Sequence, residues 1–260
     1  MESSVPGPQS SVEKHRYRAV LAYIGTDFHG WQRQRNAART VQAVLEEALE
    51  RFAGAPATAV AAGRTDTGVH ADGQVVHFDL AAERDPDRVR DAVNFHLPRD
   101  VRVLEVAAAP RGFDARRDAA WKEYLYRWSR AAAISPRDLP FVAPISNRTD
   151  GRAMRAAAEA LPGQRDFGVF GVRRPAGQSV RRLLSVSISE EQDEIRALFR
   201  GEGFLRGMVR AICGVLADVG RGKAPPVRIR ELLATGDRGL LSPKAPACGL
   251  TLVRVHYNDT

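Results

Sequence analysis

Residues 73–80 read Gly-Gln-Val-Val-His-Phe-Asp-Leu. Val76, Phe78 and Leu80 fall on one side of an extended chain and Val75, His77 and Asp79 on the other, which is the two-residue period of a strand. Upstream, residues 58–63 form a second short apolar run. Further back, Val44, Leu45, Ala48, Leu49 and Phe52 recur at the spacing of one helical face, with Thr40 as a starting cap and Gly54 and Pro56 as terminators. Residues 18–24 (RAVLAYI) are rich in strand formers and stop at Gly25. Downstream, Asp85-Pro86 opens a helix carrying Val89, Ala92 and Val93, Pro98 stops it, and residues 101–106 alternate again. The order is β-α-β-β-α-β.

The rest of the chain repeats it. Residues 121–128 are a strand with Tyr124, Tyr126 and Trp128 on one face, and residues 151–161 a helix broken by Pro162-Gly163. Residues 183–189 and 194–199 are strands around the turn EEQD. Leu205, Met208, Val209, Ile212, Leu216 and Val219 mark a long amphipathic helix ending at Gly220, with a short helix over 228–233 and a strand over 250–257. The expected class is α+β: two tandem ferredoxin-like (RRM-like) lobes with mainly antiparallel sheets flanking a central cleft. The sheets would join edge to edge, their open faces forming a long platform. The expected divisions are a flexible polar tail over 1–16, a first lobe over 17–110 and a second over 111–260.

Composition narrows the function. The 260 residues are 44% apolar and 27% charged, without the roughly 18-residue apolar run of a membrane helix. Cys213 and Cys248 are too few for a disulfide framework or a four-ligand zinc site, which points to a reducing cytoplasm. Lys and Arg total 39 against 31 Asp and Glu, a net charge of +8, and only residues 14, 122, 223 and 244 are Lys. A cationic surplus of this size favours a polyanionic partner, because each neutralised phosphate releases condensed counterion.

Between two apolar strands lies Gly63-Arg64-Thr65-Asp66-Thr67-Gly68-Val69-His70. A carboxylate on a loop bracketed by glycines exposes its oxygens as a nucleophile or base, and Arg64 would keep it ionised. The competing use of Asp66 is an Asx-turn, its side chain bonding the local backbone. Asp66-Thr67-Gly68 also spells the aspartic-protease triplet, but that chemistry needs a second such carboxylate, and no other DTG or DSG occurs. His70, Asp72 and His77 lack regular metal-ligand spacing, so no metal is expected.

The loop resembles the active-site signature of the TruA family of tRNA pseudouridine synthases, which reads GRTD, a small residue and GVH. Other segments match in the family's order. Gly30-Trp31-Gln32-Arg33-Gln34 with Thr40-Val41-Gln42 resembles its GWQxQ…TVQ element, and Gly73–Phe78 its GQVVHF strand. Phe113-Asp114-Ala115-Arg116 with Tyr124-Leu125-Tyr126 is similar to FHAR…YxY, although Asp114 stands where the family has His. Asp166-Phe167 with Phe170 matches DFxxF. Phe204-Leu205-Arg206-Gly207-Met208-Val209-Arg210 with Gly214 matches FxxxMVRxxxG, and Ala247-Cys248-Gly249-Leu250-Thr251-Leu252 with Tyr257 matches AxGLxL…Y. Arg182, after Val180-Arg181, departs from a usual Thr.

The resemblance implies isomerisation of uridine to pseudouridine in the anticodon stem-loop of tRNA, at positions 38–40. The N1–C1′ bond breaks and C5 rejoins C1′ with no redox change, so no cofactor is needed. The base must be extruded to be reached. Asp66 is then the catalytic carboxylate, acting by attack at C1′, addition at C6 or removal of the 2′ proton. By the same resemblance Tyr124 lies against the flipped base, Arg210 pairs with the carboxylate, Arg64 holds the extruded nucleotide, and the protein is a homodimer. The Arg pairs at 116–117, 173–174 and 181–182 would together contact phosphates. The competing class is a non-catalytic RNA-binding protein of paired RRM-like lobes, for which residues 121–128 would supply stacking aromatics.

Overall fold

The computed structural model describes residues 14–35, 39–172, 175 and 177–258. Ten strands and five helices follow in the order β1 (His15–Tyr23), α1 (Val41–Ala53), β2 (Val60–Ala61), β3 (His70–Leu80), α2 (Pro86–His96), β4 (Val101–Ala108), β5 (Ala119–Ser129), β6 (Ala143–Pro144), α3 (Gly151–Ala158), β7 (Gly163–Asp166), β8 (Val180–Glu191), β9 (Glu194–Gly201), α4 (Met208–Gly220), α5 (Arg228–Thr235) and β10 (Leu250–Tyr257). No helix among the described residues is long and apolar enough to cross a membrane.

The helices begin where short polar side chains satisfy free backbone donors. Thr40 accepts from the Ala43 N–H at 3.3 Å, Asp85 from Arg88 at 3.0 Å, and Asp150 from Arg152 and Ala153. Gly54 closes α1 at φ +70, a left-handed conformation that costs glycine nothing.

All ten strands belong to one sheet with the path β4-β1-β3-β10-β5-β9-β8-β7; β2 also pairs with β3, and β6 with β5. Pairing is antiparallel except at β3–β10 and β5–β6. Along the sheet, β4-β1-β3 with β2 beside β3 is followed by β10-β5-β9-β8-β7 with β6 beside β5. The halves meet along β3 and β10, which pair over His70–Thr251 and Ala71–Leu252 alone. Beyond that seam the other end of the same β3 edge pairs with β2 instead.

Three expectations change. Strand β1 starts at His15, so the last two residues of the expected tail are sheet; residues 1–13 lie outside the described residues. Strand β3 is covered on both faces, since Val75 and His77 are buried along with Val76, Phe78 and Leu80. The connection between the halves lies over it: Ala115 N–H donates to His77 Nδ1 at 3.0 Å, Arg16 Nη1 to the Phe113 carbonyl, and Tyr257 Oη to the Ala115 carbonyl at 2.6 Å. The expected open platform is therefore filled at its centre. Finally, β6 and β7 had no strand-like pattern; Gly-Gln-Arg-Asp in β7 is ordered by antiparallel pairing with β8 rather than by apolar side chains.

Candidate active site

The loop between β2 and β3 is pinned from below. The Thr65 carbonyl accepts from the Trp31 N–H at 3.1 Å, and Thr65 Oγ1 shares a 2.8 Å hydrogen bond with the buried Tyr23 hydroxyl. Gln74 Nε2 donates to the Gly63 carbonyl at 2.7 Å. Gly30, at φ +84, passes so near that a Cβ there would sit 2.8 Å from Thr65 O. Burial pushes the Tyr23 phenol up to about 12, so it remains a neutral partner. The backbone flanking Asp66 is thus held while its side chain is left free.

Asp66 Oδ atoms accept no backbone N–H among the described residues, which excludes the Asx-turn. They face two guanidiniums instead: Arg206 Nε is 3.7 Å from Oδ1 and Arg210 Nη1 is 3.8 Å from Oδ2. Both cations come from the start of α4, and a Cβ on Gly207, the residue before that helix, would lie 3.8 Å from Asp66 Oδ2. The carboxylate therefore meets the positive end of a thirteen-residue helix as well as two side-chain charges. Its side chain is 20% exposed, enough to be reached from outside.

Arg210 is fixed by a second contact, its Nε donating to the Ala245 carbonyl at 2.9 Å while Ala245 N–H donates back to the Arg210 carbonyl at 3.0 Å. Arg64 is exposed and makes no ion pair among the described residues. The expectation that it serves as the charge that keeps Asp66 ionised is corrected: the guanidiniums facing the carboxylate are those of Arg206 and Arg210, and Arg64 is exposed in the loop. Tyr124 comes from β5, between Phe199 and Leu252 on the neighbouring strands. It is 7% exposed, and Phe204 meets its ring edge-on at 4.9 Å. Burial, reinforced by Tyr23 and Asp66, raises its phenol far above the ordinary value.

The two histidines of β3 are structural. His70 Nδ1 accepts from the Gly25 N–H at 3.1 Å, as His77 Nδ1 does from Ala115. Seven strand residues separate them by roughly 23 Å, so they cannot share one ion. Arg182 pairs with Glu202 at 3.2 Å, and Arg117 with Asp114 at 3.6 Å. Arg173 and Arg174 lie outside the described residues.

A family model described as tRNA pseudouridine synthase matches residues 19–116 and 157–258. The tRNA pseudouridine synthase A of Maricaulis maris is 41% identical over 244 residues, 93% of this chain and 98% of that protein. The enzyme of the same name from Methylobacterium nodulans is 42% identical over 94% and 96% of the two chains. This chain belongs to the tRNA pseudouridine synthase family. A solved archaeal box H/ACA sRNP Nop10-Cbf5 complex is also similar, at 15% identity and a TM-score of 0.32 over 77% of this chain and 43% of that one.

In this pseudouridine synthase the motif segments converge on residues 63–68. Trp31 and Gln74 hold the loop by hydrogen bonds, Phe204 flanks Tyr124, Gly207 abuts the carboxylate, and Ala247 Cβ would be 3.1 Å from a Cβ on Gly68. Phe167 and Phe170, by contrast, are buried core. Two residues escaped the sequence reading. Arg206 looked like a variable position before Met208, with nothing local to reveal that it faces Asp66. Lys122 carried a usable signal: it shares the inward face of its strand with Tyr124, Tyr126 and Trp128, where a cation is out of place.

Proposed function

We propose that the chain isomerises uridine to pseudouridine in the anticodon stem-loop of tRNA, at positions 38–40, with Asp66 as the catalytic carboxylate. The observation that carries this is the Asp66 side chain itself: a carboxylate free of backbone hydrogen bonds, on a braced loop, flanked by Arg206 and Arg210 at the start of α4. Such a group is aimed but not consumed by the fold, as a reacting group must be. The relatives' printed substrate, tRNA, agrees with the net charge of +8.

Each neighbour then has a chemical task. Arg210 orients the carboxylate from a fixed position. Tyr124, a neutral phenol, presents its hydroxyl to the extruded base as a hydrogen-bond partner; as a phenol it is not a ready base for the C5 proton, and only a little of its surface is open for stacking. Arg64, exposed in the loop, meets the nucleotide as it enters. Glycosidic cleavage and C5–C1′ bond formation leave the atoms of uridine conserved, so these side chains suffice without a cofactor.

The same reading takes the halves, 17–110 and 111–260, as tandem ferredoxin-like lobes around the cleft. It makes the active species a cytoplasmic homodimer, which sedimentation at twice the chain mass would support and a single-chain mass would refute. The deciding experiment is tritium release from C5 of uridine-labelled tRNA without added cofactor. Wild-type protein releases tritium; Asp66→Asn binds the same tRNA and releases none. Undiminished release by the variant would remove Asp66 from the chemistry.

A further inference from the structure

Lys122 is a nearly buried ammonium that makes no ion pair among the described residues. It is 8% exposed and sits on β5 two residues before Tyr124, on the same face of the strand. Its aliphatic stem runs beside the Asp66 loop: a Cβ on Gly63 would be 3.6 Å from Lys122 Cε and 3.8 Å from Tyr124 Oη. The adjacent carboxylate, Glu123, points to the other face and is bound to Arg200. Burial, and then the Arg116 guanidinium, pull the lysine's pKa below its ordinary value. The unpartnered buried polar atoms sealed from water are His70 Nε2, Gln74 Oε1 and Thr149 Oγ1. Lys122 Nζ is not one of these, so its tip keeps some contact with solvent.

Buried lysines are ordinarily paired, because an isolated ammonium is costly to desolvate. The charge that acts on Lys122 is itself a cation, Arg116, and Arg64, next to Gly63 in the loop beside the lysine stem, makes no ion pair among the described residues. A neutral carbonyl would satisfy one donor and leave the cluster uncompensated. A phosphodiester brings the missing charge, and a lysine serves it as a point charge without strict geometry.

We propose that Lys122 Nζ binds the phosphodiester adjoining the uridine on which Asp66 acts, with Arg64 and Arg116 completing the anion site. This rests on the isomerase reading above and names the contact that seats the RNA strand beside the loop.

The test compares wild type, Lys122→Met and Lys122→Arg on an anticodon stem-loop RNA and on copies carrying one neutral methylphosphonate, placed 5′ to the target uridine, 3′ to it, or remote. Lys122→Met should weaken binding to the unmodified RNA roughly tenfold or more, the worth of one charge-assisted hydrogen bond. It should also reduce the slope of log affinity against log salt by about 0.7 to 0.9. Lys122→Arg should restore most of both. On RNA neutralised at one adjoining linkage, wild type and Lys122→Met should bind alike. The Met variant should melt at or above the wild-type temperature, because a desolvated, unpaired charge has been removed. A lower melting temperature with an equal deficit on every RNA would make the residue structural and overturn the proposal. So would unchanged affinity and salt slope. Absence of pseudouridine formation by wild type would instead refute the isomerase reading, and the methylphosphonate comparison would still decide the anion site.

Discussion

Arg206 and Arg210 stand at almost the same distance from Asp66, 3.7 and 3.8 Å, yet they should matter very unequally. Two unit charges at this separation attract by about 1 kcal/mol in water and about 4 kcal/mol at an effective dielectric of 20. Arg206 is 81% exposed, so its pairing falls in the watery limit and is further reduced by the entropy of holding a long side chain still. An exposed pair of that kind is worth about 0 to 1 kcal/mol. Arg210 is 21% exposed and anchored through Nε to the Ala245 carbonyl, so its orientation is already fixed and its screening weaker. Its hold on the carboxylate lies between the two limits, about 2 to 4 kcal/mol. If the carboxylate must be aimed to react, these energies appear in the chemical step. Arg210→Met should slow single-turnover tritium release at saturating tRNA by ~30- to ~900-fold, and Arg206→Met by ~5-fold at most. Saturating RNA removes any contribution either arginine makes to binding. Equal losses, or a larger loss for Arg206→Met, would refute the reasoning that burial rather than distance ranks the two cations.

Two further outcomes follow from the same contacts. Gly30→Ala places a Cβ 2.8 Å from the Thr65 carbonyl in a left-handed conformation costing about 1 to 2 kcal/mol before any clash is relieved, so melting should fall by at least about 2 to 8 °C and turnover should drop with it; a variant equally stable and active would show that the loop is not braced from this side. His70 and His77 both have pKa values lowered below 6.5 by burial, and both accept a backbone N–H at Nδ1. The unfolded chain therefore takes up protons first, so stability should decline as pH falls below about 6.5, and His77→Asn should flatten part of that decline in urea melts; stability constant from pH 7.5 to 5.5 would contradict it.

Most of the elements were legible because they announce themselves locally. Alternation marked residues 73–80, and Thr40 and Gly54 bracketed α1. The seam between the halves was not legible. Two residue pairs of parallel strand, joining segments some 180 residues apart, leave no period in either. Asp66 was legible as a carboxylate on a glycine-bracketed loop, and family resemblance named Arg210 as its partner; Arg206 was not legible, and Arg64, near in sequence, was credited with the charge that Arg206 and Arg210 bring from the other half. Lys122 was within reach of strand parity and was passed over among its aromatic neighbours.

The distance along the chain between Asp66 and Arg210 has a consequence during synthesis. A ribosome adding about 5 to 20 residues per second needs ~7 to ~30 s to travel from one to the other. Throughout that interval the nascent protein lacks the Arg210 guanidinium that faces Asp66 in the folded chain, amid the very RNAs it would modify. On the proposed role of Asp66, competence arrives only with the later residues, so a stalled or prematurely terminated product should be inert rather than indiscriminate.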